Sequence, residues 1–157
     1  MQGANFHFQQ FLGFSLTPDL QALLPSDQIS EILNLDPGQI VPIFEMPESV
    51  MGVWNHRGEI AWLVDLAHLL GLAPLFIEEA NSLHSVILIQ HQQAYVGLAI
   101  RQIGQLVLCK THQIHDANAN ESQPKLAFCL DGLYRNMEGK TILVLDGEKI
   151  MQLLKQA

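Results

Sequence analysis

The sequence predicts an all-β protein whose two halves repeat one pattern. Short apolar runs rich in Val, Ile, Leu and Phe are separated by Pro, Gly, Asp and Asn along the chain, which is the signature of a sandwich or of small barrels. Helix signals are few, and each follows an apolar run. Asn55, Gly58 and Asp65 have counterparts in Asn136, Gly139 and Asp146, with Trp62-Leu63-Val64 aligning on Leu143-Val144-Leu145. Two small barrels, each too small to bury much alone, would gain by sharing one apolar seam.

Taken in order, Phe6, Phe8, Leu12, Phe14 and Leu16 fall on one parity, as a strand with one buried face requires. Thr17-Pro18-Asp19 is a turn, Leu20 to Leu24 a second strand, and Pro25-Ser26-Asp27 its end. Ile29, Ile32, Leu33 and Leu35 lead to a turn at Asp36-Pro37-Gly38, and Ile40 to Phe44 reads as a short strand. Val50 to Trp54 and Ile60 to Val64 are apolar strands interrupted by Asn55-His56-Arg57-Gly58. Asp65 is placed to cap a short helix with Leu66, Leu69 and Leu70 on its apolar face and Gly71 at its stop. Ala73 to Ser82 reads as a connection between the halves. Val86 to Ile89, Tyr95 to Ile100 and Leu106 to Leu108 follow as strands, then a polar loop over most of 110–124. Leu126 to Leu130 begins another strand, Met137 to Lys140 turns a hairpin at Gly139, and Ile142 to Leu145 is the last strand. Asp146 caps a final helix carrying Ile150, Leu153 and Leu154.

Composition narrows the function classes. At 157 residues and 48% apolar the chain can bury a sizeable core, and 15% charged residues argue against disorder. A net charge of -8 with only eight scattered Lys and Arg disfavours nucleic acid and anionic membrane surfaces. No basic region followed by an apolar run opens the sequence, and Leu69 to Ile77 is too short to span a bilayer, so a soluble cytoplasmic protein is expected. Cys109 and Cys129 form no C-x-x-C and read as reduced thiols.

Chemistry-bearing motifs are scarce. There is no G-x-S-x-G elbow, no phosphate-binding glycine loop, and no cofactor is expected. His112 and His115, followed by Asp116, are the best metal candidates, but a polar loop does not hold ligands rigidly and they read as surface histidines. Asp65 and Asp146 sit where caps belong, which accounts for them without acid–base work. Trp54 and Trp62 read as core or rim residues. Arg57 stands out: between two apolar strands it is either half of a buried structural ion pair or a contact residue held rigidly at the surface.

The run Gly52-Val53-Trp54-Asn55-His56-Arg57-Gly58-Glu59-Ile60, then Leu63-Val64-Asp65-Leu66 and Leu70-Gly71-Leu72, resembles the CheW-like domain family. That family carries a G-x-x-N-x-R-G turn, an apolar strand ending in Asp-Leu, and a short helix ending in Gly. Ile29-Ser30-Glu31-Ile32 is similar to its V-x-E-I segment, and Tyr95-Val96-Gly97-Leu98 to a second-half strand. The resemblance covers nearly the whole chain. It implies one domain over 1–157, made of two five-stranded SH3-like barrels around a common core, with subdomains near 20–82 and 83–145 and the first strand and last helix crossing between them.

It also implies a non-enzymatic adaptor that couples a chemoreceptor tip of the methyl-accepting type to the regulatory domain of a CheA-type histidine kinase. Partner-binding positions carried over are Ile29, in the apolar groove used by the receptor helix, Glu31 and Arg57, the paired acid and arginine, and Asn55 and Gly58 of the turn. Ala61-Trp62, Arg101 and Gly132-Leu133 depart from the family pattern and mark a divergent branch. The Gln-rich, weakly charged composition is similar to that of adaptors in twitching and phototaxis systems. Two other readings are a ligand-binding or metal-dependent β-barrel, which needs a pocket with converging polar groups, and a regulatory fragment of a kinase.

Overall fold

The computed structural model describes residues 8–75, 82–117 and 122–157. Five strands, β3 (Glu31–Leu35), β4 (Val50–His56), β5 (Glu59–Asp65), β6 (His84–His91) and β7 (Ala94–Ile100), form one sheet in the order β3-β6-β7-β5-β4. Six others form the second: β1 (Phe8–Thr17), β2 (Leu20–Pro25), β8 (Gln102–Lys110), β9 (Ile114–His115), β10 (Leu130–Arg135) and β11 (Thr141–Leu145), ordered β8-β1-β2-β11-β10-β9. Three helices complete the fold: α1 (Leu66–Leu69), α2 (Pro124–Cys129) and α3 (Gly147–Gln156).

Each sheet encloses a small core of its own. Leu35, Trp54, Leu63, Val86 and Leu88 fill the five-stranded one, and Phe11, Leu23, Cys109, Ile142 and Val144 the six-stranded one. The opposite faces meet in a much larger cluster that includes Leu12, Phe14 and Leu24 from one sheet and Val64, Ile87 and Leu98 from the other, with all three helices packed on it. This seam is the shared core expected from the repeat. Most of the buried apolar residues lie there, so each sheet covers its larger apolar face with the other. The two expected five-stranded barrels are thus a five-stranded and a six-stranded curled sheet, neither closed by backbone hydrogen bonds.

The repeat recurs in outline, with differences in turn length and hydrogen-bond pattern. In both β4–β5 and β10–β11 an Asn at the turn accepts backbone N–H bonds: Asn55 from Gly58 at 2.8 Å, Asn136 from Glu138 and Lys140 at 3.0 and 2.9 Å. Both hairpins slip register once, between Val50 and Gly52 and between Leu130 and Gly132. At both slips a glycine lets a flanking backbone come close: a Cβ on Gly52 would strike the Val41 carbonyl, and one on Gly132 the His115 carbonyl. Asp65 then caps α1 by accepting from the His68 N–H at 3.2 Å, and Asp146 caps α3 through the Glu148 N–H at 3.0 Å.

Four expectations need correction. Leu126 to Leu130 is not a strand start: Pro124, which suits the first helical position, opens α2, and β10 begins only at Leu130. Ile40 to Phe44 forms no strand; Pro42 lacks a donor, and Val41 alone bridges to Val53. In β1 the one-faced alternation fails. Phe8 is 52% exposed, whereas Phe11, on the other parity, is buried, because β1 lies between the seam and the inner core. Finally, the sheets do not divide at 82/83. β2 pairs in parallel with β11, and β6 and β7 belong with β3 to β5, so the five-stranded sheet spans 31–100 and the flanks build the other. Phe6 and much of the connection after Ala73 lie outside the described residues.

Candidate partner-binding site

The site begins with a two-residue turn. Arg57 and Gly58 link β4 to β5 with φ of 52° and 87°. Positive φ at both central positions matches the twist of the flanking strands, and Gly58 takes it without cost. The Asn55 carboxamide, accepting from Gly58 N–H, closes the turn from beneath. Arg57 is therefore presented on a rigid tip rather than a loop.

Glu31 opens β3, at the far edge of the same sheet. The curl brings it back to the turn: Arg57 Nη2 donates to Glu31 Oε2 at 3.2 Å, and His56 Nε2 lies 3.5 Å from Glu31 Oε1. The Arg57 side chain is 76% exposed and Glu31 31%. The pair is thus a solvent-facing clasp between edge strands, not a buried ion pair. Beneath it His56 is buried, its ring edge-on to Trp54 and Tyr95 at centroid distances of 6.0 and 5.4 Å. Sequence reasoning missed His56 and Tyr95; the available signal was alternation, since His56 shares the inward parity of Trp54 on β4. Trp54 in turn lies across Gly97, where a Cβ would come within 2.5 Å of the indole.

Ile29 lies just before β3, half-buried against the seam cluster. The seam reaches the surface elsewhere too. Leu106 pairs with the seam residue Leu12, and Leu108 with Gln10, so both extend the same face of the sheet, yet they are 61% and 63% exposed. Ile32, Ile60 and Phe8 are further large apolar side chains left in solvent.

The remaining candidates separate. His112 sits in a single 3-10 turn and His115 on β9, and among the described residues no three His, Cys, Asp or Glu are grouped to hold a metal. Cys109 and Cys129 are buried free thiols; burial raises both, Cys129 to about 12. At the end of the five-stranded sheet opposite the clasp, His84 is buried with Nδ1 unpartnered, and its pKa is lowered by burial, partly offset by the Asp65 charge.

The profile of the CheW-like domain family matches residues 10–155. The chain belongs to this family. Among solved structures, the scaffolding protein TtCheW of Thermoanaerobacter tengcongensis superposes with a TM-score of 0.74 over 88% of this chain and 89% of its own, at 18% identity. No curated protein matches the chain significantly. TtCheW is a scaffolding protein, and its likeness to this chain establishes the shared fold; membership in the CheW-like family marks the chain as non-enzymatic. Among the described residues no helix is long and apolar enough to cross a membrane.

Proposed function

We propose that this CheW-like domain works in the cytoplasm, coupling the helical tip of a methyl-accepting-type receptor to the regulatory domain of a CheA-type histidine kinase. The observation that carries this reading is the Glu31–Arg57 clasp. A permanently charged guanidinium, held on a two-residue turn and oriented by one carboxylate, retains donors for a second acceptor on a partner. The exposed Ile32, next in sequence to Glu31, with Ile29 half-buried at the seam, supplies apolar contacts for one face of an amphipathic helix beside that charge.

Pull-down of the isolated kinase regulatory domain and of a receptor-tip fragment, scored for wild type, Arg57→Ala and Glu31→Ala, tests it. Loss of either partner with the fold intact supports the adaptor role. Full binding of both partners by both variants removes the clasp from the interface.

A further inference from the structure

Between β2 and β3 the chain crosses from the six-stranded sheet to the five-stranded one through a single 3-10 turn, Ser26–Gln28. Ile29 and Glu31 follow directly. One side chain ties this crossing to α3, more than a hundred residues away. Gln28 Nε2 donates to Asp146 Oδ1 at 3.0 Å, and Gln28 Oε1 accepts the Gly147 N–H at 2.7 Å. The same Asp146 oxygen caps α3 through the Glu148 N–H.

The residue types on both sides fit this contact. A carboxylate only accepts and a backbone N–H only donates, so a side chain bridging the two needs a donor and an acceptor together, which a carboxamide has and Glu or Lys lacks. Across the contact, Gly147 opens α3 in ordinary helical backbone, where glycine weakens a helix relative to alanine. Its use there is space: a Cβ would come within 2.9 Å of Gln28 Oε1. In the counterpart cap the second donor is local, since Asp65 accepts from the Leu75 N–H ten residues on.

We propose that Gln28 is a positioning residue for the partner site: anchored on α3, it sets the crossing so that Ile29 and Glu31 stand in the register a partner meets. This rests on the reading of Ile29 and Glu31 as contact residues. An opening of about 210 Å³ beside Gln28, with Ile89, His91 and Met151 in its wall, has room for the carboxamide when the contact breaks. The crossing therefore has a held and a released arrangement, and a partner gripping Ile29 and Glu31 binds the held one better. By linkage, an occupied site tightens the contact at Gly147 in return.

Two variants open the contact from opposite sides. Gln28→Met removes both hydrogen bonds at similar length, and Gly147→Ala displaces the carboxamide while favouring the helix. Amide exchange of the intact chain, followed by NMR, is read first. Ile29 and Ser30, whose N–H groups bond the Ser26 and Leu88 carbonyls, are expected to exchange about tenfold faster in both variants, while Val53, bonded to the Val41 carbonyl, is unchanged. The kinase regulatory domain and the receptor-tip fragment are then titrated. Both variants are expected to bind at least one of them about tenfold more weakly, and the wild-type complex to slow exchange of the Gly147 amide. Unchanged exchange at Ile29 and Ser30, or equal acceleration at Val53, overturns the proposal whether or not a partner binds. Wild-type affinity in both variants, where Ile29→Ser weakens binding, overturns it as well. Faster exchange as expected, in a wild-type chain that binds neither partner, upholds the hold of α3 on the crossing and removes the adaptor reading instead.

Discussion

Glu31 and Arg57 meet at 3.2 Å although they come from opposite edges of one sheet, whose edge strands share no ladder. Their contact completes around the outside what β-strand pairing leaves open. Because the pair faces water, its share of stability is small, less than about 1 kcal/mol. Arg57→Ala and Glu31→Gln should therefore shift urea midpoints little while reducing capture of the kinase domain and receptor tip. A large loss of stability in either variant would show that the clasp holds the sheet together.

Gly97 is fixed by the ring above it. With the indole of Trp54 occupying the place of a Cβ, Gly97→Ala is overpacked and should cost about 1–3 kcal/mol in urea unfolding. The double variant Gly97→Ala with Trp54→Leu should recover part of that loss, which a purely conformational effect at Gly97 would not allow.

The two caps should not be equivalent. Asp65 is buried and accepts from both His68 N–H, at 3.2 Å, and Leu75 N–H, at 2.7 Å. Asp146 is only partly buried, and its second partner is the Gln28 side chain at 3.0 Å. Removing Asp146 should cost about 1 kcal/mol and removing Asp65 about 2–3 kcal/mol, since the latter orphans a loop amide as well. Equal thermal shifts for Asp65→Ala and Asp146→Ala would contradict this.

His84 makes stability depend on pH. Its folded pKa lies below the usual 6.5 because burial disfavours the charged ring. Between that folded value and 6.5 the unfolded chain binds more protons, so stability rises with pH across this window and falls on acidification through it. Melting temperatures should drop from pH 7.5 to pH 5.5, and the drop should shrink in His84→Gln. An unchanged difference assigns the acid sensitivity to other groups.

What the sequence disclosed was local. Asp65 before an apolar helix face, and Asn55 three residues ahead of Gly58, are signals complete within a few residues, and both features formed as expected. Helix α2 is not legible in the sequence because Leu126 to Leu130 is too short an apolar run for periodicity to separate helix from strand. Sheet membership was not legible either, since Ala22 pairing with Leu143 depends on contacts more than a hundred residues apart. The meeting of Glu31 with Arg57 came from family resemblance. No spacing in the chain announces it, because it exists only once the five-stranded sheet has curled. His56, by contrast, was within reach of simple alternation from Trp54.

The parallel pairing of β2 with β11 also orders events in time. During synthesis the β1–β2 hairpin emerges first, yet its second strand waits for a neighbour near the opposite end of the polypeptide. Until then Leu23 and Leu24 lack much of their covering, and closing so long a loop is slow. A ribosome-bound chain halted before β11 should therefore be protease-sensitive along its whole length, with no half acquiring native resistance ahead of the other.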